Sequence, residues 1–353
     1  MEDWKYSFDK ISKAGWLRQM QMDLKEKPLE SIQSEWWPGE TLYPALHAED
    51  REIEPILLPD HLFTSPPRLI EWIDISQEPE EVNLKILEAL QFGAESLVLN
   101  GAKSNGLFIN EWLKNVVEEM IDISIQLPHS SYPSFINAIP DHILIRMWRN
   151  EDDSGNFFSK LIIDSGLLKS NLRFIYKLSG SGNWIELATT LFQLLLDDVL
   201  YLKNLGVNKL SILKSQVIQF EPDINYLKQI IQTRVIHLIW HNLFYETSES
   251  QQSKPGYLEC FIRNTNHASP EQFLINSATS SLSVSLCGVH GLCIYNPEST
   301  ARPAFFDRNN RNIHHLLNME SEIYSGSDPM GGSYVIDFYT RKWSESIWNK
   351  LRR

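Results

Sequence analysis

The sequence predicts an α/β protein, an eight-stranded (β/α)8 or TIM barrel with an N-terminal extended arm. Three observations predict it. Eight short apolar, β-branched runs recur along the chain, helical patterns separate several of them, and roughly the first fifty residues stand apart from that alternation. Strands buried on both faces read as near-continuous apolar runs, the signature of a parallel sheet covered by helices. Eight such strands are the number that closes a barrel.

The arm comes first, over residues 1–50. Trp4, Phe8, Ile11 and Trp16 recur at helical spacing and predict a short amphipathic helix. The polar stretch EKPLESIQSEWWPGETLYPALHAED follows, with Trp36, Trp37, Leu42 and Tyr43 among Pro and Gly. Aromatic groups in an irregular segment bury themselves against something else, either the main domain or another chain. Trp4, Trp16, Trp36 and Trp37 are therefore expected to be subunit contacts. Deleting the residues before His47 is expected to leave a folded barrel that no longer pairs.

The barrel is predicted over residues 51–353. Its candidate strands are WIDIS from Trp72, ESLVLNG from Glu95, DISIQLP from Asp122, HILIRMW from His142, NLRFIYKL from Asn171, VIQFEPD from Val217, YLECFIRN from Tyr257 and LCIYN from Leu292. Helical patterns occupy EEVNLKILEALQFG, INEWLKNVVEEM, WIELATTLFQLLLDDVLYLKNLG and INYLKQIIQTRVIHLIWHNLFYE. The irregular connection RNEDDSGNFFSKLIIDSGLLKS, between the fourth and fifth runs, leaves a doubly wound open sheet as the alternative.

Composition narrows the function. The chain has 353 residues, 42% of them hydrophobic, and a formal net charge of -13. With mean hydropathy of -0.26 this is the profile of a soluble globular protein. No basic excess exists to displace the counterions of a nucleic acid. No apolar run approaches the roughly 20 residues that span a bilayer. The acidic, aromatic start MEDWKYSFDK is unlike a secretory signal, and three cysteines build no disulfide framework, so a cytoplasmic location is expected.

Local motifs invite sharper readings. CGVHGLC, from Cys287 to Cys293, places two thiols and His290 within seven residues, which suits zinc chemistry. It lacks a further ligand cluster at finger-like spacing and reads better as a helix end at Gly288 followed by the last strand. His314 and His315 are adjacent on a helix, so their rings diverge and do not share one ion. Glu78 to Glu81 read as the solvated start of a helix. In DPMGGSYVID, Asp328 to Asp337, a phosphate cradle would need its glycines to open a helix after a strand. These glycines follow a helix, and the segment is read as a structural turn.

The run DRNNRNIHHLLNMESEIYSGSDPMGGSYVID resembles the end of the barrel domain in the methylmalonyl-CoA mutase family. There an Arg-x-x-Arg-Asn helix runs into a Glu-Ser pair and an Asp-Pro-x-Gly-Gly-Ser-Tyr turn. Arg308, Arg311, Asn312, Glu320, Ser321, Asp328, Pro329, Gly331, Gly332, Ser333 and Tyr334 match in order and spacing. The Trp-containing start and Leu42-Tyr43-Pro44 agree with the family's N-terminal arm. The resemblance implies a barrel in an adenosylcobalamin-dependent enzyme that interconverts succinyl-CoA and methylmalonyl-CoA. Catalytic chains of the family carry an Arg-x-Tyr-Ala-Gly substrate segment, a Tyr-His pair after the fifth strand and an Asp-x-His-x-x-Gly cobalt-ligand motif. None occurs here, and KLSGSGNW, Lys177 to Trp184, stands where the Tyr-His pair would be. The resemblance thus points to the small (β) subunit, a non-catalytic partner of a large (α) subunit that would hold the adenosylcobalamin and the acyl-CoA. No catalytic, cofactor or metal residue is expected on this chain. The alternative is an active substrate-binding chain whose cobalamin domain is a separate polypeptide.

Overall fold

The computed structural model describes residues 11–352 except 26, 38, 44–45, 51–54, 102–106, 128–137, 150–170, 181, 224, 246–256, 264–268, 297–302 and 325. Eight parallel strands form a closed barrel: β3 (Arg68–Asp74), β4 (Ser96–Asn100), β5 (Asp122–Gln126), β6 (Leu144–Arg149), β7 (Leu172–Leu178), β8 (Gln216–Phe220), β9 (Tyr257–Arg263) and β10 (Gly291–Tyr295). Gly291 opposite Arg68 and Leu292 opposite Leu69 close the ring. Every run expected to be a strand supplies one, and the open-sheet alternative falls. The irregular fourth-to-fifth connection lies outside the described residues.

Side chains alternate between the two faces of each strand, and the apolar clusters divide the same way. Ile70, Val98, Phe261 and Cys293, with Trp72 and Tyr295, form one cluster inside the ring. Their chain neighbours Leu69, Leu97, Leu99, Cys260, Ile262 and Leu292 join the main cluster beneath the helices. The covering helices are α2 (Pro79–Gln91), α4 (Trp184–Asn204), α6 (Tyr226–Tyr245), α7 (Pro270–Ser285) and α8 (Pro303–Met319), with short α3 (Ile109–Trp112) and α5 (Lys209–Ser215) between them. Pro79 sits at the first turn of α2, where a missing N–H costs nothing, with Glu80 and Glu81 beside the positive helix end. Asn183 caps α4 by accepting from the Ile185 N–H at 3.0 Å. A last helix, α9 (Tyr334–Leu351), packs against α4 and α6.

Three expectations differ from the structure. The INEWLKNVVEEM pattern yields only the single turn α3. Asn115 follows at φ 66°, a left-handed residue that ends the helix, and Asn83 of α2 caps the turn by donating to the Trp112 and Lys114 carbonyls. The first helix, α1 (Lys13–Asp23), begins at Ser12, whose hydroxyl accepts from the Gly15 N–H. It contains Trp16 but not Ile11, while Trp4 and Phe8 lie outside the described residues. The stretch around Trp36 and Trp37 is regular, a hairpin of β1 (Ser34–Trp37) and β2 (Glu40–Leu42) turned by Gly39 at φ 86°.

Candidate functional site

A barrel of this kind places its chemistry at the carboxyl ends of its strands, on the loops that follow them. Inside the ring beneath those ends, several described residues pack on one another. Trp72, Phe261 and Tyr295 from three neighbouring strands meet in tilted and edge-on contacts with centroids 5.7 to 6.2 Å apart. Burial holds the Tyr295 hydroxyl protonated, well above its ordinary range. Deeper in the ring, Arg146 of β6 makes a bidentate pair with Glu259 of β9, at 3.1 and 2.5 Å, and donates to Gln219 of β8 at 3.2 Å. On the opposite face of β6, Arg149 binds Asp198 of α4 at 2.7 and 2.8 Å, and the Tyr176 hydroxyl donates to the same carboxylate at 2.9 Å. Burial raises the Asp198 carboxyl against those three bonds, and burial together with the adjacent carboxylate pushes Tyr176 well up. Both networks span sequence separations that no local motif reports. The usable signal was a charge inside an apolar strand run, Arg146 in HILIRMW and Glu259 in YLECFIRN, since a buried charge needs a buried partner.

Where the resemblance expects a Tyr-His pair, Lys177 ends its reach at Glu221, 2.8 Å away, and lies 5.7 Å from the Trp148 ring centre. Leu178 turns to the helix side and is buried. Among the described residues no histidine stands at the carboxyl end of a barrel strand.

The C-terminal motif forms a different kind of centre. Asp328, 2% exposed at its side chain, binds Arg234 of α6 through both oxygens at 2.7 and 2.8 Å. It also accepts from the backbone N–H groups of Leu58, Met330 and Gly331 at 2.9 to 3.1 Å. Arg234 is fully buried and donates to the Ile56 carbonyl at 2.7 Å. Gly332, at φ 88°, passes its N–H to Asp337 at 3.2 Å. The glycines do open a helix here, contrary to expectation, because VIDFYT begins α9 after the Ser333 N-cap. The anion they bind is nonetheless the chain's own: the carboxylates of Asp328 and Asp337 take the N–H groups that a phosphate would use. This is a structural turn that ties α6, the segment leading into the barrel and α9 together.

The other matched residues scatter. Arg311 of α8 is buried against Glu71 of β3, at 2.8 and 3.2 Å, and Glu88 of α2 at 3.2 Å. Arg308, Asn312, Pro329, Ser333 and Tyr334 are exposed, so the structure does not gather the motif into a site. Trp37 is buried and Trp36 half-buried, both against the chain's own Trp343, with centroids 4.9 and 5.1 Å away. Trp16 stacks at 5.7 Å on His47 and keeps a partly open face.

Cys260, Cys287 and Cys293 are free, buried thiols. Burial drives Cys287 up to about 12, far from any thiolate. His290 accepts the Leu258 N–H at 3.1 Å, and no group of three or more ligands among the described residues is set to hold a metal. His314 and His315 stand with rings at 89° and bind different carbonyls, of Pro67 and Phe92.

His314 carries a pH prediction. Burial depresses it from 6.5 to about 4, leaving its Nε2–H on the Pro67 carbonyl and its Nδ1 accepting from Asn318. Between pH 6.5 and 4 the unfolded chain takes up a proton that the folded one refuses, so stability falls by about 3 kcal/mol across that window. His314→Gln should flatten this part of a urea-midpoint profile measured against pH, and an unchanged slope would refute the assignment.

The family model for methylmalonyl-CoA mutase matches residues 174–353. No curated protein matches the chain. Solved structures similar to it include dihydropteroate synthase from Xanthomonas albilineans (12% identity, TM-score 0.39, 72% of this chain and 94% of that one). Dihydropteroate synthase from Vibrio fischeri ES114 matches at 10% identity and TM-score 0.42, over 74% and 96% of the two chains. A truncated 3-deoxy-D-arabino-heptulosonate 7-phosphate synthase from Thermotoga maritima matches at 14% and 0.41, over 71% and 86%. The profile match begins inside β7 and runs through α9, taking in the Asp328 turn and its Arg234 anchor, and the chain belongs to the methylmalonyl-CoA mutase family.

Proposed function

We propose that this chain is the small, non-catalytic subunit of an adenosylcobalamin-dependent acyl-CoA mutase of the methylmalonyl-CoA type, working in the cytoplasm beside a homologous large subunit. The observation that carries the reading is the place of the Tyr-His pair. A radical rearrangement of a thioester relies on a positioned donor to hold the migrating carbonyl. At that place this chain offers Lys177, already paired with Glu221 and lying along Trp148, and Leu178, turned away from the barrel mouth. Trp72, Phe261 and Tyr295 pack on one another inside the ring, which supports a wall rather than a cofactor cradle in this chain. The large chain would hold both cofactor and acyl-CoA, with this chain supporting it.

The arm is the proposed contact. Helix α1 buries none of its residues in its own chain and is held mainly through Lys13 to Glu49 and Asp50. Purified alone, the chain should show no succinyl-CoA/methylmalonyl-CoA interconversion with added adenosylcobalamin, and turnover in that assay would sink the reading. A chain starting at Ser34 keeps the β1–β2 hairpin and loses α1. It should fold by circular dichroism yet fail to co-elute with the large subunit on a sizing column. Pairing at full affinity would move the contact off the arm.

A further inference from the structure

Two imidazoles at the amino end of the barrel are held in their neutral form. His290, the residue before β10, sits on the seam that closes the ring. Its carbonyl accepts from the Arg68 N–H of β3 and its N–H donates to the Leu258 carbonyl of β9, each at 2.9 Å. Its ring Nδ1 accepts the Leu258 N–H at 3.1 Å. A ring nitrogen that accepts carries no proton, and an imidazolium has only donors. A proton on His290 therefore breaks this bond and strands a buried backbone N–H. His237 of α6 lies 6.1 Å away, ring to ring. The Gly288 backbone holds one of its nitrogens, and its Nε2 has no partner. Both rings wall a cavity of about 10 Å³, room for about one water, with Leu62, His61 and His241 beside them.

From this arrangement we infer that His237 and His290 form an acid-sensitive latch: on taking up protons they release the Leu58–Phe63 segment and loosen the seam that β10 makes with its neighbours. Leu58, Leu62 and Phe63 form a small apolar cluster separate from the main core. Leu62 lies so close to Gly288 that a Cβ there would come within 2.7 Å of it. The seam itself is short, since β10 meets β3 through two residue pairs against five with β9. The groups around the two rings offer a new cation no relief. No carboxylate stands among the described lining residues of the cavity. Arg234, one turn earlier on α6, is matched by Asp328. Tyr257 meets His290 edge-on at 5.6 Å, and Arg68, paired with Asp122, lies 6.0 Å from the same tyrosine ring centre. Burial, with His290, Arg234 and His61 adding positive charge, keeps His237 well below its ordinary 6.5. Opening gives the imidazoles water, where they titrate near 6.5. The open form thus binds protons that the closed form refuses, and opening is favoured as pH falls below that value.

The test is hydrogen exchange of the full chain at about pH 7 and about pH 5, read by mass spectrometry and corrected for the intrinsic rate at each pH. Protection over residues 57–64 should fall about tenfold or more at the lower pH, while residues 188–196 of α4 keep theirs within about twofold. His237→Gln/His290→Gln replaces both rings by amides that cannot charge, and should abolish the loss. His314→Gln, which removes the imidazole on the Pro67 carbonyl across the seam, should retain it. If the double variant does not fold, the wild type still decides. Nitrogen spectra of isotope-labelled histidines should show His290 Nδ1 unprotonated at pH 7 and taking up its proton over the range in which residues 57–64 lose protection. Unchanged protection of the wild type at the lower pH would overturn the latch. So would an equal loss in α4, which marks global acid unfolding, a loss that the double variant keeps, or one that His314→Gln removes.

Discussion

Asp328→Ala should cost about 3–5 kcal/mol of unfolding free energy, because it strands a buried guanidinium. Arg234 is fully buried, and Asp328 is the carboxylate that meets it at 2.7 and 2.8 Å. Asp337, the other acidic group nearby, stays 3.9 Å away. The same substitution leaves the N–H groups of Leu58, Met330 and Gly331 without their acceptor. Asp328→Asn keeps an acceptor oxygen while losing the charge, so it should fall between wild type and Ala. Replacing both partners by apolar groups, Arg234→Met with Asp328→Leu, should recover part of the loss, since two apolar residues leave no charge uncompensated. Urea midpoints at pH 7 decide it. A loss below about 1 kcal/mol in Asp328→Ala would mean that water reaches Arg234 and that the turn is not a buried clamp.

That clamp shows what the sequence made legible and what it hid. The strands were readable because each is a short run buried on both faces, and their apolar character survives any choice of partner. The Asp328 turn was readable as a motif, yet its physical role was not, since Arg234 lies in a helix ninety-four residues away. That VIDFYT continues as a helix was not legible in the sequence, for a local reason. Val335 and Ile336 are β-branched, and the pull that makes them helical is tertiary: Ile336, Tyr339, Trp343 and Ile347 share one face and are buried on the barrel helices. The candidate site behaved alike. Lys177 could be placed by resemblance, but its pairing with Glu221 needs β7 and β8 side by side, and Arg146 needs Glu259 from three strands away around the ring.

The arm gives the second large effect, centred on Trp343. Its indole is fully buried, with ring centroids of Trp37, Trp36, Trp184 and Tyr339 between 4.9 and 6.1 Å away. Its N–H donates to Glu40 at 2.9 Å, a carboxylate only 6% exposed that Lys342 also holds. The Tyr339 hydroxyl stitches the same hairpin by accepting from the Tyr43 N–H at 2.8 Å and donating to the Thr41 carbonyl at 2.9 Å. Trp343→Ala should therefore cost about 3–5 kcal/mol, the usual range for emptying a large aromatic site. A chain starting at Tyr43 bares the same face of α9 by removing the hairpin, and should lose at least as much. A chain starting at Ser34 keeps the hairpin and should lose less than about 1 kcal/mol, because α1 buries none of its residues. Removing everything before His47 is thus expected to open the core as well as to end pairing. If the chain starting at Tyr43 unfolds at the same urea concentration as the full protein, the hairpin is a strap that the barrel does not need, and its tryptophans are free to serve another chain.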